Sequence, residues 1–210
     1  MNDEKYRKFS VKFTNKAKPR PVIASRIHAQ HQIDLVDMKA MPCDYMGKTY
    51  RYILSLVDLF SRFHWLAPLE TKHSSSVAKE LAKIYDVHGH PERLQSDNGG
   101  EFKKHVNEYC RTNKIQQIRC RPYNPKAQGV VERSHRVLRQ KLRYDMIQQR
   151  KNGVNWAKNI LKYVKALNND KREELGQQSP FELREEIPRT SVLWQRCVFI
   201  HRSGPRKNKS

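Results

Sequence analysis

Three runs of aromatic and β-branched residues follow one another with only short connections: His31 to Met38, Tyr50 to Asp58, and Arg62 to Leu69. Runs of this composition, separated by turn-formers such as Gly47, read as strands. Connections this short cannot carry a parallel crossover, so the three strands form an antiparallel meander. The period then changes. Val77, Leu81, Ile84 and Tyr85 recur at helical spacing behind Ser74-Ser75-Ser76, which reads as a cap cluster, and Gly89 and Pro91 stop the helix. Arg93-Leu94-Gln95 is a short strand, Phe102 to Cys110 a helix, and Ile115 to Ile118 another short strand before the loop Pro122 to Gly129. Strands alternating with helices imply parallel additions to the meander, hence an α/β fold with a mixed sheet. A long helix is expected from about Gly129 to Gln149, and another, with Trp156, Ile160, Val164 and Leu167 as its buried stripe, before Gly176. The chain has no internal repeat. Past Pro188 the pattern gives a short β-like stretch, Val192 to Ile200, and a basic tail.

What such a fold acts on is constrained by charge. The 210 residues carry 42 Lys plus Arg against 21 Asp plus Glu, a formal net charge of +21. Residues 1–29 hold eight basic and two acidic side chains and residues 201–210 four basic and none acidic, which leaves +11 on the stretch between. The folded part is therefore itself basic, and the leading partner is nucleic acid, bound through counterion release, with an anionic membrane second. No apolar run approaches the ~18 residues of a membrane span, and no signal peptide precedes Asp3, so a soluble, intracellular protein is expected. Cys43, Cys110, Cys120 and Cys197 lie far apart without zinc spacing and read as reduced thiols. The close pair His88 and His90 reads as a solvated helix end.

Against this basic background three carboxylates stand out by position. Asp34 lies mid-strand, Asp97 directly follows the strand Arg93 to Gln95, where open α/β sheets place their sites, and Glu132 occupies the first turn of the long helix. Carboxylates gathered at one point suit metal-assisted phosphoryl transfer, since Mg²⁺ prefers oxygen ligands and keeps exchangeable waters. Spacing alone does not separate these three from the other acids. Asp37 faces opposite Asp34 in a strand of period two, Asp58 reads as a turn or surface carboxylate, and Glu101 as solvated. His64, Trp65 and Trp156 read as core.

His31-Gln32-Ile33-Asp34, Ser96-Asp97-Asn98-Gly99-Gly100-Glu101-Phe102, and Tyr123-Asn124-Pro125-Lys126-Ala127-Gln128-Gly129-Val130-Val131-Glu132-Arg133 together resemble the catalytic core of retroviral and LTR-retrotransposon integrases. Val57 to Arg62, Leu138 to Arg143 and Gln178 to Leu183 are similar to segments of gypsy-type elements and their host-captured relatives, so the resemblance covers about residues 30 to 185. It implies an RNase H-like fold with a five-stranded mixed sheet flanked by helices, and an Asp, Asp, Glu triad that falls on Asp34, Asp97 and Glu132, holding Mg²⁺ or Mn²⁺. The implied activity is polynucleotidyl transfer on double-stranded DNA, by 3′-end trimming and strand transfer, with a homo-oligomer and a nuclear location as further expectations. Thirty-four residues separate Asp97 from Glu132, one fewer than in the most familiar retroviral pattern. Residues 1–29 contain His28 and no cysteine, so the His-His-Cys-Cys zinc domain common in this family is not expected in them. A captured, non-catalytic DNA-binding module and an RNase H-like nuclease remain alternatives.

On the long helix Glu132, Arg136, Arg139 and Arg143 share an arc of roughly 60°, a line suited to tracking a DNA backbone. Val131, Leu138 and Leu142 form a separate apolar stripe. Arg133, Tyr123 and Gln128 are further candidates for contact with DNA. The expected organisation is a basic, flexible arm over 1–29, a catalytic core over 30–150, a helical extension over 151–188, and the β-like stretch and basic tail over 189–210.

Overall fold

The computed structural model describes residues 24–119, 129–148 and 155–185. In chain order the strands are β1 (Gln30–Asp37), β2 (Cys43–Tyr45), β3 (Lys48–Tyr50), β4 (Tyr52–Asp58), β5 (His64–Leu69), β6 (Arg93–Ser96) and β7 (Gln116–Arg119). The helices are α1 (Ser74–His88), α2 (His105–Thr112), α3 (Gly129–Gln148), α4 (Ile160–Asn169) and α5 (Pro180–Glu185). Five strands form one sheet in the order β5-β4-β1-β6-β7. β4 pairs antiparallel with both β1 and β5, while β6 joins β1, and β7 joins β6, in parallel. The meander and its parallel additions are thus as the sequence pattern implies, and the expected five-stranded mixed sheet flanked by helices is present.

Burial explains why this sheet is stable. Every residue of β4 is buried, which requires both faces of the sheet to be covered. Alternation sorts the side chains: Ile33, Leu54, Leu56, Trp65 and Ala67 pack with Val77, Leu81 and Tyr85 of α1 and Val106 and Cys110 of α2. Val36, Ile53 and Leu66 face the other way, against Leu138 and Leu142 of α3 and Ile160, Tyr163 and Leu167 of α4. Trp156 completes this second layer, and its Nε1 donates to the Met41 carbonyl at 2.8 Å.

Several local features depart from expectation. Asp58 is fully buried, not at the surface. It does serve a turn, because its Oδ1 accepts the N–H groups of Phe60 (2.7 Å) and Ser61 (3.2 Å) where β4 reverses into β5. The serine cluster begins α1 without a side-chain cap, the N-cap being His73. Ser74 Oγ instead donates to the Lys103 carbonyl and accepts the Val106 N–H, which ties α1 to the start of α2. Residues 24–29, assigned by sequence to the basic arm, pack onto the body: Ala24 and Ala29 are buried with Leu59. His90 is exposed as expected, whereas His88 is half-buried with its ring 5.4 Å from Trp65. The small β2–β3 hairpin was not expected; its turn residues Met46 (φ 51°) and Gly47 (φ 74°) both take the left-handed conformation that a tight two-residue hairpin favours.

Candidate active site

Parallel pairing of β1 with β6 carries Asp34 and Asp97 toward the same end of the sheet. β1 and β6 pair in parallel up to Gln32 opposite Gln95; Asp34 lies two residues further along β1, and Asp97 two residues further along the chain, just past the end of β6. Neighbouring strands lie about 4.8 Å apart, and residues opposite one another in a parallel pair share a face. Asp34 belongs to the same alternation as Val36 and so faces the α3–α4 layer, where it is half-buried. Asp37, of opposite parity, is exposed, accepting the Lys39 N–H at 2.9 Å and pairing with Lys39 Nζ at 3.1 Å.

Asp97 sits where β6 ends, and its Oδ1 accepts the Gly99 N–H at 2.8 Å, a turn that holds the carboxylate at the strand's carboxyl end. A side chain at position 99 would push both neighbouring carboxylate ends aside. A Cβ there would stand 2.7 Å from the Glu101 carboxyl and 2.9 Å from Asp97 Oδ1. Glu101, expected to be solvated, is half-buried and lies against the same glycine as Asp97, adding a second carboxylate at the strand end.

The third element is α3. Its buried stripe is His135, Leu138, Leu142 and Asp145, and His135 Nδ1 approaches Asp34 Oδ2 at 3.6 Å. Burial, with Arg139 adding to it, pushes the His135 pKa down to about 4. The imidazole is therefore neutral at pH 7, and its approach to Asp34 is a dipolar contact and not an ion pair. Glu132 lies in the first turn of α3, three residues before His135, so the helix that delivers His135 to Asp34 carries Glu132 one turn earlier; the Glu132 side chain lies outside the described residues. His135 was overlooked in the sequence, although its spacing from Glu132 was a usable signal.

Arg136, Arg139 and Arg143 are all exposed, about a third of a turn away from the buried stripe. Arg133 is exposed, with Nη1 3.7 Å from Glu174 Oε1, a surface pair of little energetic weight. Tyr123 and Gln128 lie outside the described residues. The carboxylates of Asp34, on β1, and Asp97, just past β6, are hard oxygen donors of the kind that suits Mg²⁺ or Mn²⁺.

Known proteins resemble the chain in sequence and in fold. The family model described as integrase core domain matches residues 28–125. The chain is 38% identical over 91 residues to the Gag-Pro-Pol polyprotein of Mason-Pfizer monkey virus, covering 42% of this chain and 5% of the polyprotein. It is 30% identical over 169 residues to the human KRAB-A domain-containing protein 2, covering 78% of this chain and 32% of that protein. The chain thus spans about a third of this human relative and a small fraction of the viral polyprotein. Among solved structures, the simian T-cell lymphotropic virus intasome in complex with PP2A regulatory subunit B56 gamma superposes with a TM-score of 0.66 at 22% identity, covering 82% of this chain and 60% of that chain. The HTLV-2 integrase catalytic core domain in complex with magnesium superposes with a TM-score of 0.57 at 18% identity, covering 77% and 97%. The fold is RNase H-like. Over residues 28–125 the chain is similar to integrase core domains, and over 91 residues to retroviral polyproteins. Among the described residues no helix is long and apolar enough to cross a membrane.

Proposed function

We propose that the protein is a metal-dependent polynucleotidyl transferase acting on double-stranded DNA, with Asp34, Asp97 and Glu132 as its catalytic and metal-holding carboxylates. The observation that supports this reading is the meeting of three elements: β1 and β6 pair in parallel just before Asp34 and Asp97, and α3 sets His135 against Asp34 one turn after Glu132. When bound, Mg²⁺ or Mn²⁺ supplies Lewis-acid stabilisation of charge at the reacting phosphodiester. The chain's own residues prepare that site. The Gly99 N–H fixes Asp97, and neutral His135 lines Asp34 without competing as a cation for its oxygens. The exposed line Arg136, Arg139 and Arg143, with Arg133 at its start, meets phosphate oxygens of the duplex and orients it, and Tyr123 and Gln128 contact the reacting DNA end. Work on DNA ends by several copies of the chain, in the nucleus, belongs to the same proposal.

A DNA-binding module without turnover is the second reading, favoured by the likeness over 169 residues to a human protein that is not a viral polyprotein. A labelled DNA-end substrate in Mg²⁺ or Mn²⁺ separates the possibilities. Joined products longer than the substrate support the transferase; cut products alone indicate an RNase H-like nuclease; binding without product indicates the module.

A further inference from the structure

On the other face of β1 lies a second cluster that the proposed reaction does not use. His31 belongs to the alternation that faces α1, and its ring lies against Trp65 and Tyr85. His28 precedes the strand, and Asp58 ends β4 directly opposite His31 in the antiparallel register. His28, His31 and Asp58 each bring one potential ligand atom within 4.8 Å of the other two. His28 Nδ1 is 3.2 Å from His31 Nε2, which is 3.6 Å from Asp58 Oδ2. Tetrahedral coordination with bonds of 2.0–2.1 Å requires ligand atoms about 3.3 Å apart, so these edges need almost no adjustment.

We propose that His28 Nδ1, His31 Nε2 and Asp58 Oδ2 bind a divalent transition metal of the Zn²⁺ class, fastening the segment before β1 to the end of β4. Two imidazoles and one carboxylate select Zn²⁺-like ions over Mg²⁺, which takes oxygen donors. The supporting contacts are those a ligand set needs. His31 Nδ1 lies 3.3 Å from Tyr85 Oη, which fixes the ring with Nε2 turned to the cluster. Asp58 Oδ1 is held by the Phe60 and Ser61 N–H groups, which aims Oδ2 at the histidines. Burial lowers the pKa of His28 to about 4, helped by His31 and Arg184, and lowers that of His31, which favours the neutral rings a metal binds. Asp58 Oδ2 also accepts the His28 N–H at 2.9 Å, and a bound metal would offset the charge of this fully buried carboxylate. His28 also holds a left-handed backbone (φ 61°), a conformation that non-glycine residues avoid and that is enriched at ligand clamps. Its side is half-exposed, leaving a path for the ion and a fourth position for water.

Arg184 opposes the metal in a testable way. Its guanidinium stacks over Phe63 and Trp65, with Nη2 3.5 Å from His28 Nε2. Metal on Nδ1 leaves a proton on Nε2, which then faces another donor.

The experiment uses the full chain carrying Asp34→Asn and Asp97→Asn, so that carboxylates of the other site do not contribute. Zn²⁺ is titrated by calorimetry, and Co²⁺ is followed by the visible absorption of tetrahedral sites. One ion per chain is expected, with a tetrahedral Co²⁺ spectrum that Zn²⁺ abolishes. His28→Gln, a change at a half-exposed position, should keep the metal-free melting temperature and weaken binding by more than about 100-fold, the upper range for losing even a supporting contact. Arg184→Gln should tighten it. Absence of binding, or equal affinity in the parent and His28→Gln, overturns the site, and unchanged affinity in Arg184→Gln overturns Nδ1 as the ligand atom.

Discussion

Replacing Arg136, Arg139 and Arg143 together by Gln tests whether α3 tracks DNA. All three are exposed, and at 100° per residue they fall within about 60° of arc, clear of the stripe that α3 buries. Seven residues of helix rise about 10 Å, and that length of duplex carries about six phosphates, so each arginine has a phosphate within its own reach. Three lost contacts reduce the slope of log K against log salt by about 2.7. Between 50 and 200 mM salt the parent should therefore lose about 40-fold more affinity than the triple variant does. Fluorescence anisotropy with two unrelated duplexes measures this, and both should weaken alike because the line offers no base-reading geometry. Equal slopes for parent and variant would show a merely solvated face. A changed sequence preference with an unaltered slope would make these residues base readers and refute the phosphate assignment.

Other predictions concern the arm, the core and the Asp97 turn. Deleting residues 1–23, which carry seven basic and two acidic side chains, should flatten the salt dependence of DNA binding; an unchanged slope would place the arm away from DNA. Burial, with Arg172, His135 and Arg62 adding to it, holds buried His64 at a pKa of about 3. The unfolded chain takes up this proton first, so the contribution is complete above pH 6.5 and is lost as pH falls toward 3, about 2 kcal/mol by pH 5. Urea denaturation of His64→Gln should show a pH slope shallower by about 1.4 kcal/mol per unit in this window, and a slope identical to the parent would contradict the assignment. Gly99→Ala should displace the Asp97 and Glu101 carboxylates and slow DNA joining by on the order of 100-fold with little loss of stability. A full rate in that variant would mean that Asp97 does not need its Gly99 tether.

The features legible in the sequence are those with a local period. The strand runs and the Val77, Leu81, Tyr85 stripe gave the sheet and α1, and period-two alternation put Asp34 and Asp37 on opposite faces. What stayed hidden depends on residues far apart in the chain. Asn168 of α4 gives its side-chain amide to the backbone of His64, accepting its N–H at 2.7 Å and donating to its carbonyl at 2.9 Å, which covers the edge strand β5 across 104 positions. Asp58 reads as a turn residue because its local role is a turn; its burial follows from His31 of β1 and His28 just before that strand closing over it. Three-residue strands such as β2 and β3 are too short to show alternation at all.

The central claim is tested most directly by Mg²⁺- or Mn²⁺-dependent strand transfer from a labelled DNA end, comparing Asp34→Asn, Asp97→Asn and Glu132→Gln with Asp37→Asn. Each of the three triad changes removes a ligand charge with little change in volume, and each should abolish joined product while the variant still folds and binds DNA. Asp37→Asn, at an exposed position of opposite parity, should join at close to the parent rate. Joining by Asp34→Asn, or its loss in Asp37→Asn, would contradict the assignment of the catalytic face.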